Sequence, residues 1–198
     1  MSAILAALDV GSGASKLEVA KVDTTIIPWT VVGESLFAKE QELKLASDLK
    51  SSENNTISAH IIDRLFEVLK NFKKVASDLG ATEISAAATA VFRLADNAPE
   101  VLKRIQSELG IRVRVISQEE EGEIGFLTAA TQFSCEAPDL GNLVAWDSGG
   151  ASFQLTALAE GLQDIYEVEP PLTVQRCTFK KALIDGVFSL LLYFDIVV

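Results

Sequence analysis

Apolar and polar positions form their clearest pattern near the start of the chain. Ala6, Ala7 and Leu8 run into Asp9, a Gly-Ser-Gly turn follows at Gly11–Gly13, and Lys16-Leu17-Glu18-Val19 alternates polar with apolar. This pattern predicts strand, glycine turn, strand. It returns at Leu143–Leu158, LVAWDSGGASFQLTAL. Laying Asp147 on Asp9 places Gly149 on Gly11, Gly150 on Ser12, Gln154 on Lys16 and Leu155 on Leu17. One such stretch alone reads as an ordinary hairpin turn capped by Asp. Two matching units far apart in one chain point to two related lobes facing each other.

Between the copies, Ile26–Ser35 is strand-like, with Pro28 suited to an edge. Leu36–Asn55 is charged and mixed and ends in the loop signal Ser51-Ser52-Glu53-Asn54-Asn55. A helix is predicted from about Ser58 to Leu79, where Ile61, Leu65, Leu69, Phe72, Ala76 and Leu79 keep three-to-four spacing and Gly80 supplies the stop. Ile84–Val91 reads as a buried strand of small residues. Pro99 opens a second helix over Val101–Leu109, closed by Gly110, and Ile111–Ser117 alternates as a strand. The acidic segment Gln118–Glu123 opens a helix to about Phe133, and a loop at Glu136–Asn142 precedes the second glycine turn. Pro170-Pro171 breaks the chain, Thr178–Ile184 reads as helical, and Gly186–Val198 is almost wholly apolar. This order predicts an α/β fold of two lobes with mixed sheets, 1–117 and 118–198, the second incomplete. The apolar end is expected to pack over an open edge of that lobe or against another copy, as a homodimer.

Composition narrows the partners. Nearly half the residues are apolar and no low-complexity tract occurs, as in a globular protein. The formal charge of −11 argues against nucleic acid, whose backbone needs a basic face. Phosphate ligands remain open, because backbone N–H groups, a cation or two and a metal can grip them locally. Cys135 and Cys177 form no motif and fit a reducing compartment. The start meets Asp9 too soon for a signal peptide, and no stretch approaches the length of a membrane span. A cytoplasmic protein with no membrane partner is expected.

Glycines at a turn let backbone approach a ligand and aim successive N–H groups at one point, a concavity that favours phosphate. Asp9 beside such a turn can hold a divalent cation through water, the habit of Mg²⁺. Two such turns across a cleft make a site for a chain or anhydride of phosphates.

With these blocks in order, the chain resembles the exopolyphosphatase/guanosine pentaphosphate phosphohydrolase family, within the actin-like, sugar kinase and heat-shock ATPase fold superfamily. Asp9-Val10-Gly11-Ser12 matches the family's first phosphate loop, usually Asp-Ile-Gly-Ser-Asn-Ser. Thr89–Arg93 followed by Ile116-Ser117-Gln118-Glu119-Glu120-Glu121 is similar to its threonine/arginine strand end and its Ile-Ser-Gly-x-Glu-Glu-Ala-Arg helix start. Asp147–Leu155 matches Asp-Ile-Gly-Gly-Gly-Ser-Thr-Glu-Leu. The resemblance implies actin-like lobes and Mg²⁺-dependent removal of a terminal phosphoryl group from polyphosphate or guanosine pentaphosphate. It implies Glu121 as the base that positions and deprotonates water, with Glu120 the next candidate and Arg93 near the scissile phosphates. Gly11, Ser12, Gly13, Lys16, Gly149, Gly150 and Ser152 would meet phosphate, and Asp9, Asp147 and Gln154 would meet the metal. Crowding by Glu119, Glu120 and Glu123 is expected to raise the pKa of Glu121. A solvated acidic helix start, favoured by the helix dipole, is the plain alternative for that run.

The chain also departs from the family pattern. The first loop's Asn and Ser are Gly13 and Ala14, and the helix Arg is Glu123. In the second loop a Gly is Ala151, a Thr is Phe153 and the metal-holding Glu is Gln154, which keeps an oxygen but loses the charge that draws Mg²⁺. Three functions fit: a metal-dependent phosphoanhydride hydrolase, a non-catalytic phosphate, polyphosphate or nucleotide sensor that has kept the cleft, and an actin-like ATPase or sugar kinase.

Overall fold

Two strands, β1 (Ser2–Val10) and β2 (Ala14–Asp23), form the expected antiparallel hairpin, with Asp9 directly opposite Lys16 and Val10 opposite Ser15. The computed structural model describes residues 1–25, 30–132, 144–148, 153–158 and 173–177. Alternation sorts the hairpin into two faces. Ala6, Leu8, Val10, Leu17 and Val19 enter the main core, while Ala7, Ala20 and Val22 form a smaller cluster on the other side. β5 (Glu83–Ala88) lies parallel to β1, and β6 (Val113–Val115) lies parallel to β5. β3 (Thr30–Val31) and β4 (Phe37–Glu42) pair with opposite ends of β2, giving the order β3-β2-β1-β5-β6 with β4 beside β2.

Helix α2 (Ala59–Asp78) covers the main core. The Ser58 hydroxyl accepts the Ile61 N–H at its start, Ile61, Ile62, Leu65, Leu69, Phe72 and Ala76 form the buried stripe, and Gly80 with φ +80° turns the chain back. Charge hid two elements from the sequence pattern. Leu36–Asn55 holds β4 and helix α1 (Leu45–Lys50). β4, FAKEQE, is mostly exposed, so it has no apolar alternation to detect and carries the charges usual on an edge. The expected strand Ile84–Val91 stops at Ala88, where its pairing with Val10 ends, and Ala90–Leu94 forms helix α3. Alanine-rich sequence favours helix as readily as buried strand, so the boundary rests on the loss of a pairing partner. Helix α4 (Ala98–Arg104) continues into a π-helical turn, Ile105–Leu109, before Gly110 at φ +67°.

Helix α5 (Gln118–Gln132) follows β6. Strands β7 (Val144–Ser148) and β8 (Phe153–Leu158) pair antiparallel, and β9 (Thr173–Cys177), which the sequence pattern did not reveal, lies parallel to β8. Phe126 and Ala129 of α5 pack on Ala145 of β7. The repeat holds in register, since Asp147 lies directly opposite Gln154 as Asp9 lies opposite Lys16. Ile26–Trp29, the Glu136–Asn142 loop, Gly149, Gly150, Ser152, the Thr178–Ile184 helix and the Gly186–Val198 end, with the self-association argued from it, lie outside the described residues. Among the described residues no helix is long and apolar enough to cross a membrane.

Candidate active site

The candidate residues gather where parallel strands end. β1 finishes at Asp9-Val10, β5 beside it runs into Thr89 and Arg93, and β6 beside β5 runs into Ser117 and Glu121. Ligands of open α/β sheets sit at this carboxyl edge, because the loops leaving neighbouring strands converge there.

The first turn is braced from the side. The Ser12 carbonyl accepts the Ala46 N–H at 2.8 Å, and the Gly13 carbonyl accepts those of Leu43 at 2.9 Å and Lys44 at 2.8 Å. A trans peptide points its N–H opposite to its carbonyl, so fixing the Ser12 carbonyl toward α1 aims the Gly13 N–H the other way. The sequence pattern missed this brace, whose only signal was the fully buried Leu43 and Leu45 in a charged segment. Gly11 is required by space. A Cβ there would meet the Ala14 carbonyl oxygen at 2.8 Å and lie 3.5 Å from the Asp9 carboxylate. The Ser12 hydroxyl is buried and has no partner among the described residues. Lys16 is buried between Asp9 on β1 and Glu40 on β4 in the cross-strand rows, a place in the sheet rather than on the turn.

Arg93 joins two strand ends. Its Nη1 donates to the Ile116 carbonyl and its Nη2 to the Glu121 carboxylate, both at 2.8 Å. The ion pair is largely buried, with 21% of the Arg93 and 13% of the Glu121 side chain exposed. The neighbour of Glu121 is therefore a cation, and the like-charge crowding falls on Glu123, which burial first and then Glu120 and Glu119 push upward. Glu120 has a different task. It closes a capping box, its carboxylate accepting the Ser117 N–H at 2.9 Å while the Ser117 hydroxyl accepts the Glu120 N–H at 3.1 Å. Arg114 adds an ion pair at 2.6 Å. Partial burial opposes ionisation of Glu120, but the Ser117 amide and Arg114 outweigh it and hold the carboxyl below its usual range.

One helical turn along α5, a Cβ on Gly125 would lie 3.7 Å from Asp147 Cβ and Oδ2. Residues four apart share a helix face and are separated by about 6 Å along the axis. Glu121 with its Arg93, and Asp147 of β7, therefore meet the same face of α5. Gln154 of β8, opposite Asp147 of β7, is fully buried, and neither atom of its side-chain amide has a hydrogen-bond partner among the described residues.

Among the described residues no three His, Cys, Asp or Glu side chains converge on a metal-sized site. The carboxylates of Asp9 and Asp147 nevertheless share one feature: each lies beside a glycine, Gly11 and Gly125, where a Cβ would stand in van der Waals contact with it. A carboxylate of this kind suits Mg²⁺, which takes one or two protein oxygens and completes its shell with phosphates and water.

A family model described as the Ppx/GppA phosphatase family matches residues 30–168. The chain is 32% identical over 100 residues to exopolyphosphatase 1 of Mycobacterium leprae, covering 50% of this chain and 29% of that protein. It is 28% identical over 153 residues to exopolyphosphatase 1 of Mycobacterium bovis, covering 77% and 42%. The crystal structure of the Aquifex aeolicus member of the Ppx/GppA protein family matches with a TM-score of 0.61 at 26% identity, over 77% of this chain and 46% of that one. With the strand order described above, this likeness establishes the actin-like, mixed-sheet fold. The chain spans less than half the length of each of these relatives.

Proposed function

The chain belongs to the Ppx/GppA phosphatase family, and on that premise we propose that it carries the phosphate-gripping and water-activating part of a phosphohydrolase that removes a terminal phosphoryl group from polyphosphate or guanosine pentaphosphate. The observation that supports this reading most is the Arg93–Glu121 pair on the face of α5 that also meets Asp147. Phosphoryl transfer asks a protein mainly to position groups and neutralise charge. A carboxylate oriented by Arg93 can take the proton of an attacking water. Arg93 then stands beside the attacked phosphorus, where its guanidinium can share charge with phosphoryl oxygens. The Gly11–Gly13 turn and the Ser12 hydroxyl bind further along the phosphate chain. Mg²⁺, when bound, neutralises phosphoryl charge, and Asp9, Asp147 and the Gln154 oxygen are the side chains to hold it.

A phosphate-release assay tests the proposal, with polyphosphate, guanosine pentaphosphate and ATP offered in parallel to the purified chain. Release from either of the first two supports it, and preference for ATP would move the reading to an actin-like ATPase. A second reading is favoured by the neutral, buried Gln154 and by Glu123 where the family carries Arg. It is a sensor that binds the same phosphates without turnover, and binding without release in that assay would select it.

A further inference from the structure

We propose that Gln154 makes this site take a divalent cation and a phosphate chain together, its amide oxygen turned to the cation and its NH₂ to a phosphoryl oxygen. The inference rests on the phosphohydrolase reading and deepens it. Gln154 is 0% exposed, stands directly across from Asp147, and leaves both Oε1 and Nε2 without a partner among the described residues. Buried amides are almost always satisfied, so a group with donor and acceptor both open marks a place for something the protein does not itself provide. A carboxylate here would be satisfied by a cation alone. An amide is not, because a cation leaves its NH₂ open and a free phosphate leaves its carbonyl open. A cation chelated by a phosphate chain answers both, whichever way the amide is turned. Charge points the same way. With one carboxylate and one neutral group across the β7–β8 pair, the site attracts a bare cation less than two carboxylates would, and it repels a polyanion less.

Calorimetric titration of the full chain separates the possibilities, using Mg²⁺ alone, inorganic tripolyphosphate in EDTA, and tripolyphosphate with Mg²⁺. In the wild type, Mg²⁺ is expected to tighten tripolyphosphate binding by about ten- to hundredfold more than it does in Gln154→Leu, the size of a hydrogen bond to a charged group. Gln154→Glu is expected to bind Mg²⁺ alone more tightly than wild type and tripolyphosphate in EDTA more weakly. Thermal melts without ligand establish that each variant is folded. Should Gln154→Leu fail to fold, the two shifts in Gln154→Glu decide. Wild-type coupling in Gln154→Leu, or unchanged binding of both ligands by Gln154→Glu, overturns this inference and leaves the phosphohydrolase reading standing. A folded wild type that binds no tripolyphosphate with or without Mg²⁺ overturns both.

Discussion

Glu121, the proton acceptor of the proposed reaction, is paired with the Arg93 guanidinium. Its bond to Arg93 at 2.8 Å orients the carboxylate, and the neutral isostere can still accept that bond. Glu121→Gln should therefore keep tripolyphosphate affinity within a few-fold of wild type by titration calorimetry. Phosphate release should fall by about 10²–10⁴, the usual cost of losing a positioned base. Loss of affinity in step with rate would assign Glu121 to binding. Glu18 is a second buried carboxyl, outside this site. It is 1% exposed, the Ser35 hydroxyl donates to its Oε1, and its Oε2 has no partner among the described residues. Burial pushes its pKa up, with the Ser35 bond opposing. A carboxyl raised in the folded state keeps a proton that the unfolded chain releases, so stability falls as pH rises above the ordinary carboxylate range. Glu18→Gln should melt higher than wild type at about pH 7.5, with the advantage shrinking toward about pH 4. An equal shift at both values would assign the effect to packing instead.

At the scale of elements, α5 connects the two sheets, and its start is tied by more than helix propensity. The Ser117–Glu120 box and the Arg114 ion pair fix its first turn, which presents Glu121 to Arg93. Ser117→Ala should cost about 1 kcal/mol in urea unfolding at neutral pH, the common value for a lost N-cap. The depressed Glu120 carboxyl is held by the Ser117 backbone N–H and Arg114, which alanine leaves in place, so this cost should change little as pH falls through the folded Glu120 value. A cost that shrinks at low pH would show that the hydroxyl and the carboxylate act together. The sequence announced α5 by its acid run and small residues, but read that run as a set of mutually repelling carboxylates. Only the arrival of Arg93 and Arg114 from other elements divided it into a capping glutamate, an ion-paired one and a crowded one, Glu123.

For the whole molecule, the charge of −11 opposes a polyanion at long range, whatever the local grip. The Debye length shrinks from about 30 Å to about 10 Å between roughly 0.01 M and 0.1 M salt. Association of tripolyphosphate, followed by stopped flow at fixed Mg²⁺, should therefore hold or accelerate as KCl rises over that range. A steep fall would reveal a basic groove that the net charge conceals. The acidic balance also makes cation-coupled binding economical, since a chelated phosphate chain arrives with part of its charge already neutralised.

The sequence by itself determined whatever depends on neighbours along the chain. The two aspartate hairpins and their common register follow from alternation and glycine placement, and α2 follows from its apolar spacing between Ser58 and Gly80. Tertiary structure alone decided the chemistry of the site. Arg93 meets Glu121 across 28 positions, Ala46, Leu43 and Lys44 brace the carbonyls of the first turn, and Gly125 packs beside Asp147. Each of these depends on which strand ends lie side by side, and periodicity carries no information about that. Gln154 shows the division within one residue. Its match to Lys16 was legible from the repeat, whereas its register opposite Asp147 and its burial with both amide atoms unpartnered among the described residues belong to the folded structure alone.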